Sequence, residues 1–418
     1  MENLKKIVTV CVLWVLILMI TYFTFFQKGY IVSWVFMALF TLSIALLIIA
    51  LLLTLFILIL MSITNQNNYK IKKYLGSQFV WLCFAAIALG LQIQFSEFFT
   101  YTPDNGETAL IESVELNGTT QYISIRGEDL SNPVILFLAG GPGGTQMAST
   151  REFLKELENE YTIINWDQPG VGKSYNARHY KDLTVDVYVE DAHALTTYLK
   201  QKFQQEKIYI VGESWGSYLG VLLADIYPED YYALIGTGQM VDFTETEIAC
   251  YNLAMEIAVE KGDQRQIDAL EKIGVPPIYG ENVTMELATY LQYLHQYMGR
   301  NEEINHSDWD TLDTLFSPEY SVMDSVNFAR GLLYTFSHVY QQLYGTNLRE
   351  EHYDFDIPVY FLHGRYDINA PVFLVEEYYE VVHAPDKELI FFEHSGHNPW
   401  IDESELFNET LRALFDLH

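Results

Sequence analysis

Cysteine and positive charge are both scarce in this 418-residue chain. There are three cysteines. Cys11 and Cys83 fall in strongly apolar runs, and Cys250 stands alone in the more polar remainder, so no disulfide can form within that remainder. An exported domain without disulfides suggests a bacterial surface more than a eukaryotic secretory route. Lysine and arginine together number 24 against 55 acidic residues, a net charge of −31. That balance excludes a basic nucleic-acid surface and docking on anionic lipid headgroups. It suits solubility, and also cationic substrates. Metal-ligand spacing is missing as well. "EHSGH" holds two histidines three apart, with no further Cys or His placed to complete a zinc site.

Charge of either sign is absent from long stretches near the N-terminus. Ile7 to Phe26 carries none, nor does the run between Lys28 and Lys70, nor that between Lys73 and Glu97. A bilayer core takes about 20 apolar residues in helix. Three transmembrane helices are expected, near 7–26, 34–61 and 76–96, the middle one tilted or extended beyond the bilayer. A cleaved signal peptide is the rival for the first run. Its apolar stretch is too long, and "TYFTFFQKGY" offers no small-x-small cleavage site. Lys5 and Lys6 precede the first run and Lys70, Lys72 and Lys73 the third, whereas Lys28 alone sits between the first two. The positive-inside rule then puts the N-terminus in the cytoplasm and everything after about residue 100 outside, on a multi-pass plasma-membrane protein. With six lysines and two glutamates up to residue 100, the rest holds 18 basic and 53 acidic residues, a net charge of −35.

Beyond the membrane region, 1–100, the pattern changes. "TALIESVEL", an Asn117-Gly118 turn and "TQYISIRG" predict a β-hairpin. "VILFLAGGPGG" is a buried strand entering a glycine-rich loop, and "MASTREFLKELENE" reads as helix. "YTIINWDQPGVGKS" is strand and loop. "TVDVYVEDAHALTTYLKQKF" has its apolar residues at helical spacing. Strands alternating with helices predict a mostly parallel sheet covered on both faces. The alternation stops near residue 240 and resumes at "IPVYFLHGRYD". An α/β domain over 101–240 and 349–418 is therefore expected, interrupted by a helical insertion over 241–348. No internal repeat is visible.

Chemistry concentrates at strand ends. "IYIVGESWGSYLG" places Ser214 in Gly-x-Ser-x-Gly between a buried strand and a helix. Such a turn holds its middle residue exposed and strained above the sheet. A serine hydroxyl needs a base to become a nucleophile. Asp367 follows one later strand and His397 the next, in the order Ser, Asp, His that suits this topology. Asp367 would orient His397, and His397 would deprotonate Ser214. His394 is the nearest rival base, and His363 reads as a packed strand-end residue. The oxyanion donors expected are the backbone N–H groups of Trp215 and of Gly141 in "LAGGPGG". A triad with such donors needs no cofactor or metal.

Together "GGPGG" at 140–144, "WDQPGVGKS" at 166–174, "GESWGS" at 212–217, "HGRYD" at 363–367 and "SGH" at 395–397 resemble the α/β-hydrolase superfamily, and within it the proline iminopeptidase-like serine peptidases. The resemblance covers roughly residues 105–418. It implies the α/β-hydrolase fold with a helical cap, release of an N-terminal residue from short peptides, and cap glutamates that hold the substrate's free amine. Glu247, then Glu245, are the candidates here. The chain departs from the family at Ala139, where His is usual, at Pro169, where Arg is usual, and at Glu213, where Gly is common. The expected protein is a membrane-anchored serine hydrolase acting on short peptides or other small molecules. Its partners would be its substrate and the lipid bilayer, without nucleic acid. The alternatives are an esterase or lipid-directed hydrolase, and a catalytically idle membrane sensor or interaction module.

Overall fold

A computed structural model of the chain describes residues 100–102, 108–309 and 311–417. The three expected membrane spans lie outside these residues. Among the described residues no helix is long and apolar enough to cross a membrane. Thr100–Thr102 and Phe316–Met323 belong to one compact unit. Within it the Tyr101 N–H donates to the Pro318 carbonyl (3.0 Å) and the Thr102 hydroxyl to the Glu319 carboxylate (3.3 Å). Everything below concerns the other unit.

That unit is built on eight strands: β1 (Thr108–Leu116), β2 (Thr119–Gly127), β3 (Val134–Leu138), β4 (Thr162–Asp167), β5 (Ile208–Glu213), β6 (Tyr231–Thr237), β7 (Val359–Gly364) and β8 (Lys387–Phe392). Their order across the sheet is β1-β2-β4-β3-β5-β6-β7-β8. The β1–β2 and β2–β4 pairs are antiparallel and all others parallel. Asn117 (φ 47°) and Gly118 (φ 79°) join β1 to β2 with both residues left-handed, as a type I′ turn requires.

β3, β4, β5 and β7 are buried along their whole length, as strands with helices on both faces must be. Their side chains alternate between two cores. Leu136 and Leu138 of β3 join one core, with Leu195 and Leu199 of helix α2 (Val185–Phe203) and Leu219 and Leu223 of α3 (Trp215–Ile226). Ile135 and Phe137 face the other, with Trp400 and with Phe407, Leu411 and Phe415 of the C-terminal helix (Ser404–Phe415). The helix expected after the glycine loop, α1 (Met147–Phe153), ends earlier than its sequence suggests. Leu154 and Leu157 turn under the sheet instead, into this second core.

Between β6 and β7 the chain leaves the sheet for helices that include α4 (Phe243–Lys261), α5 (Gln264–Ile273) and α6 (Val283–Met298). Asp242 starts α4 by accepting from the Glu245 N–H (2.9 Å), and left-handed Gly262 ends it.

Candidate active site

The turn between β5 and α3 holds Ser214 at φ 53°, ψ −121°, a backbone conformation costly for any residue with a Cβ. Its neighbours over-determine it. The Ser214 N–H donates to the Thr237 carbonyl (3.0 Å), and the Ser214 carbonyl accepts from the Ser217 N–H (2.9 Å) and hydroxyl (2.6 Å). The flanking glycines are steric necessities. A Cβ at Gly212 would run into the Gly216 carbonyl, and one at Gly216 into the Leu138 carbonyl. That second close approach sets the start of α3, and with it the Trp215 N–H, against the end of β3, from which the glycine loop departs. Gln168 bridges the same place. It accepts from the Trp215 indole (2.9 Å) and donates to the Ala139 carbonyl (3.0 Å). In the loop, left-handed Gly141 (φ 134°) brings the backbone nitrogens of Gly143 and Gly144 so near that a Cβ on it would lie 2.6 Å from each.

Asp367 and His397 sit on loops that leave β7 and β8 side by side. The Arg365 N–H donates to the Phe392 carbonyl (2.9 Å) and the Tyr366 N–H to the Ser395 carbonyl (3.0 Å). Gly364 is required there, because a Cβ would strike the Gly396 carbonyl. The Asp367 carboxylate is buried and accepts from the Asn369 and Ala370 N–H groups (2.9 Å each). Both its oxygens face His397 Nδ1, at 3.0 and 2.8 Å. His397 Nδ1 is then the protonated nitrogen, and Nε2 is the one left for chemistry. The ring packs on Gly238, where a Cβ would lie 2.9 Å from Cε1. Gly238 follows Thr237, the residue that holds the Ser214 N–H, so Ser214 and the His397 ring are both anchored at the end of β6.

Burial disfavours a charged His397, but Asp367, Glu213 and Asp402 outweigh it and raise its pKa to about 9. For Asp367, burial opposes ionisation, and the charge and hydrogen bond of His397 prevail, holding the carboxyl below its usual range. The rival base His394 is engaged elsewhere, and His363 is packed as expected. His394 Nδ1 lies 3.0 Å from the Glu303 carbonyl, at the surface. His363 is buried with Nε2 on the Ala370 carbonyl (2.9 Å), behind Asp367.

Glu247 and Glu245, on the first turns of α4, part company. Glu245 turns outward to Arg349 (2.6 Å), which also meets Asp242 and Glu377. Glu247 is buried and accepts from the hydroxyls of Tyr290 and Tyr340. Burial pushes its carboxyl up against the pull of those two hydroxyls. One turn on, Cys250 Sγ lies 3.1 Å from the carbonyl of Ile368, the residue after Asp367, so α4 overlies the acid loop.

Glu213 is the residue of this site that the sequence pattern missed. The signal for it is its departure from the glycine common at that position. Its buried carboxylate faces His397 Nε2 at 3.6 Å.

The α/β hydrolase fold family matches residues 133–254. Over 314 residues the chain is 30% identical to Probable aminopeptidase YbaC of Bacillus subtilis (strain 168), taking in 74% of this chain and 97% of that protein. It is 32% identical to the Proline iminopeptidase of Lactobacillus helveticus (strain DPC 4571) over 122 residues, 28% of this chain and 40% of that one. Among solved structures, the proline iminopeptidase of Mycobacterium smegmatis superposes with a TM-score of 0.55 at 18% identity, covering 74% of this chain and 98% of that one. VinJ does so with a TM-score of 0.53 at 19% identity, covering 73% and 98%. At such identities the structural likeness concerns the fold.

Proposed function

Because this chain belongs to the α/β-hydrolase family, we propose that it is a membrane-anchored serine hydrolase that releases the N-terminal residue of short peptides. The observation that carries the reading is His397, clamped at Nδ1 by Asp367 while its ring rests on the strand end that holds Ser214. In the proposed reaction, Ser214 Oγ attacks the scissile carbonyl carbon as its proton passes to His397 Nε2. The carbonyl π pair moves to oxygen, where the Trp215 and Gly141 N–H groups would receive it. The tetrahedral intermediate collapses, the C–N bond breaks, and the Nε2 proton leaves with the amine. Water, deprotonated by the same nitrogen, then attacks the acyl-enzyme and restores Ser214.

The aminopeptidase assignment draws on the relatives' names and on Glu247. A buried carboxylate that no cation neutralises is costly, and Glu247 accepts from two neutral hydroxyls. A substrate ammonium entering beneath α4 would supply the missing charge. Glu245, already paired to Arg349, is the weaker anchor. A charge-assisted hydrogen bond contributes about 1.5–3 kcal/mol, so Glu247→Gln lowers kcat/KM for peptides by roughly ten- to a hundredfold and leaves neutral esters nearly unchanged. Equal losses on both substrate classes indicate disturbed packing. No loss on either removes Glu247 from substrate binding and favours the esterase reading.

The uncharged runs at 7–26, 34–61 and 76–96 support anchoring, with the hydrolase unit outside the cytoplasmic membrane. A cysteine placed at Asn105 in a chain with Cys11 and Cys83 replaced by serine tests this, since the remaining Cys250 is buried and does not compete for reagent. Intact cells label at Asn105→Cys with an impermeant maleimide. Labelling only after lysis overturns the orientation.

A further inference from the structure

His397 lies between two carboxylates. Asp367 takes the Nδ1 edge, as orientation of the base demands. Glu213 takes the other edge, where proton transfer occurs, with Oε1 3.6 Å from Nε2. At that distance the contact is electrostatic rather than a hydrogen bond. Its placement is built, not incidental. Glu213 Oε2 accepts from the Gln146 amide (2.8 Å), and the Gly140 N–H also donates to the carboxylate. Gly140 leaves the space the carboxylate occupies, since a Cβ there would collide with it. Among the described residues, the charged partner of Glu213 is His397 alone.

We propose that Glu213 is a positioning residue that acts through His397, stabilising from the Nε2 side the imidazolium that forms when Ser214 gives up its proton. The proposal rests on the serine-hydrolase reading for its consequence in catalysis, though not for the contact itself. An oriented imidazole needs only one carboxylate, on Nδ1. A second one, on Nε2, makes the base stronger and slower to lose a bound proton.

The charged and titratable groups around the ring are Asp367 and His363 from the β7 side, Asp402 from the segment after β8, and Glu213 from β5. Asp402 Oδ2 is held by the Gly396 N–H (2.9 Å). Cys250, on α4, faces Asp367. Burial tends to keep Glu213 protonated, against the pull of His397, Gln146 and Gly140. Glu213 and His397 therefore titrate as a pair.

Neutral His397 is the active form, and a negative neighbour raises its pKa. Removing that neighbour lowers the pKa and moves the acid limb of activity to lower pH. An opposite charge at this range shifts a pKa by roughly 1–3 units. For Glu213→Gln the acid limb of kcat/KM on a neutral ester therefore moves down by about one pH unit. The alkaline plateau falls by about tenfold or more, because the imidazolium in the transition state has lost a partner. Glu213→Asp, which keeps the charge but draws it back, gives an intermediate limb and serves if the glutamine variant does not fold.

A second readout needs no turnover. Nitrogen-15 histidine spectra of the full chain in detergent, with His397→Gln for assignment, give the Nε2 titration midpoint. The midpoint drops in Glu213→Gln if the proposal holds, and it still drops if the protein proves not to be a hydrolase. A plateau that falls with limb and midpoint both unmoved makes Glu213 a packing residue and overturns the proposal.

Discussion

Ser214→Ala lowers kcat by about ten-thousandfold or more on every substrate the enzyme cleaves, and it abolishes labelling by a fluorophosphonate probe. The expected size follows from the geometry. The variant keeps the proposed donors at Trp215 and the glycine loop, so substrate would still bind with its carbonyl polarised. It would lose the atom proposed to form the acyl bond. The backbone at 214 is held from both sides, by Thr237 and by Ser217, so the fold tolerates the change. Alanine also tolerates φ 53° no worse than serine does. Retained labelling, or a loss below tenfold, removes Ser214 as the nucleophile, whereas a wild-type protein that takes no label at all favours the membrane-sensor reading.

Asp367→Asn costs a comparable factor, about ten-thousandfold in kcat, for a different reason. The carboxylate accepts from two backbone N–H groups and from His397 Nδ1. An asparagine has one oxygen to give. If it serves the backbone, its NH₂ faces Nδ1 and favours the tautomer with hydrogen on Nε2, which cannot take the serine proton. Asp367 is also foremost among the groups that lift the His397 pKa against burial. The residual activity of Asp367→Asn should therefore rise with pH through a midpoint below that of the wild type. Both Asp367→Asn and Glu213→Gln move the acid limb downward, but only the former costs several orders of magnitude in rate. Asp367→Asn retaining a tenth of wild-type kcat, with an unchanged melting temperature, rules out this arrangement of acid and base.

Much of the fold was legible because it rests on local rules. Five apolar residues in a row at "VILFL" leave no polar face, and only a strand covered on both sides accepts that pattern. Asn117-Gly118 takes two left-handed residues that few other pairs allow. The parallel strands carry their loops to one edge, so Ser214, Asp367 and His397, which follow β5, β7 and β8, lie at that edge whatever the length between them. The strand order was not legible to the same degree. Placing β4 outside β3 depends on how the crossover packs, and hydrophobic periodicity does not record it.

Residues within a few positions of one another account for most of the strand and helix pattern, the turn chemistry and the candidate nucleophile, base and acid. Which carboxylates are paired, and with what, depends on segments far apart in the chain. Glu245 and Glu247 lie two residues apart on one helix, yet Arg349 captures the first from 104 residues away. Tyr290 and Tyr340 enclose the second from 43 and 93 residues away. Glu213 reads in sequence as a replaced glycine. It gains a role because Gly140 yields it space, Gln146 turns it, and the loop after β8 returns His397 to within 3.6 Å. Periodicity reports whether a side chain is buried. The partner that neutralises a buried charge comes from another segment, and the folded chain alone brings the two together.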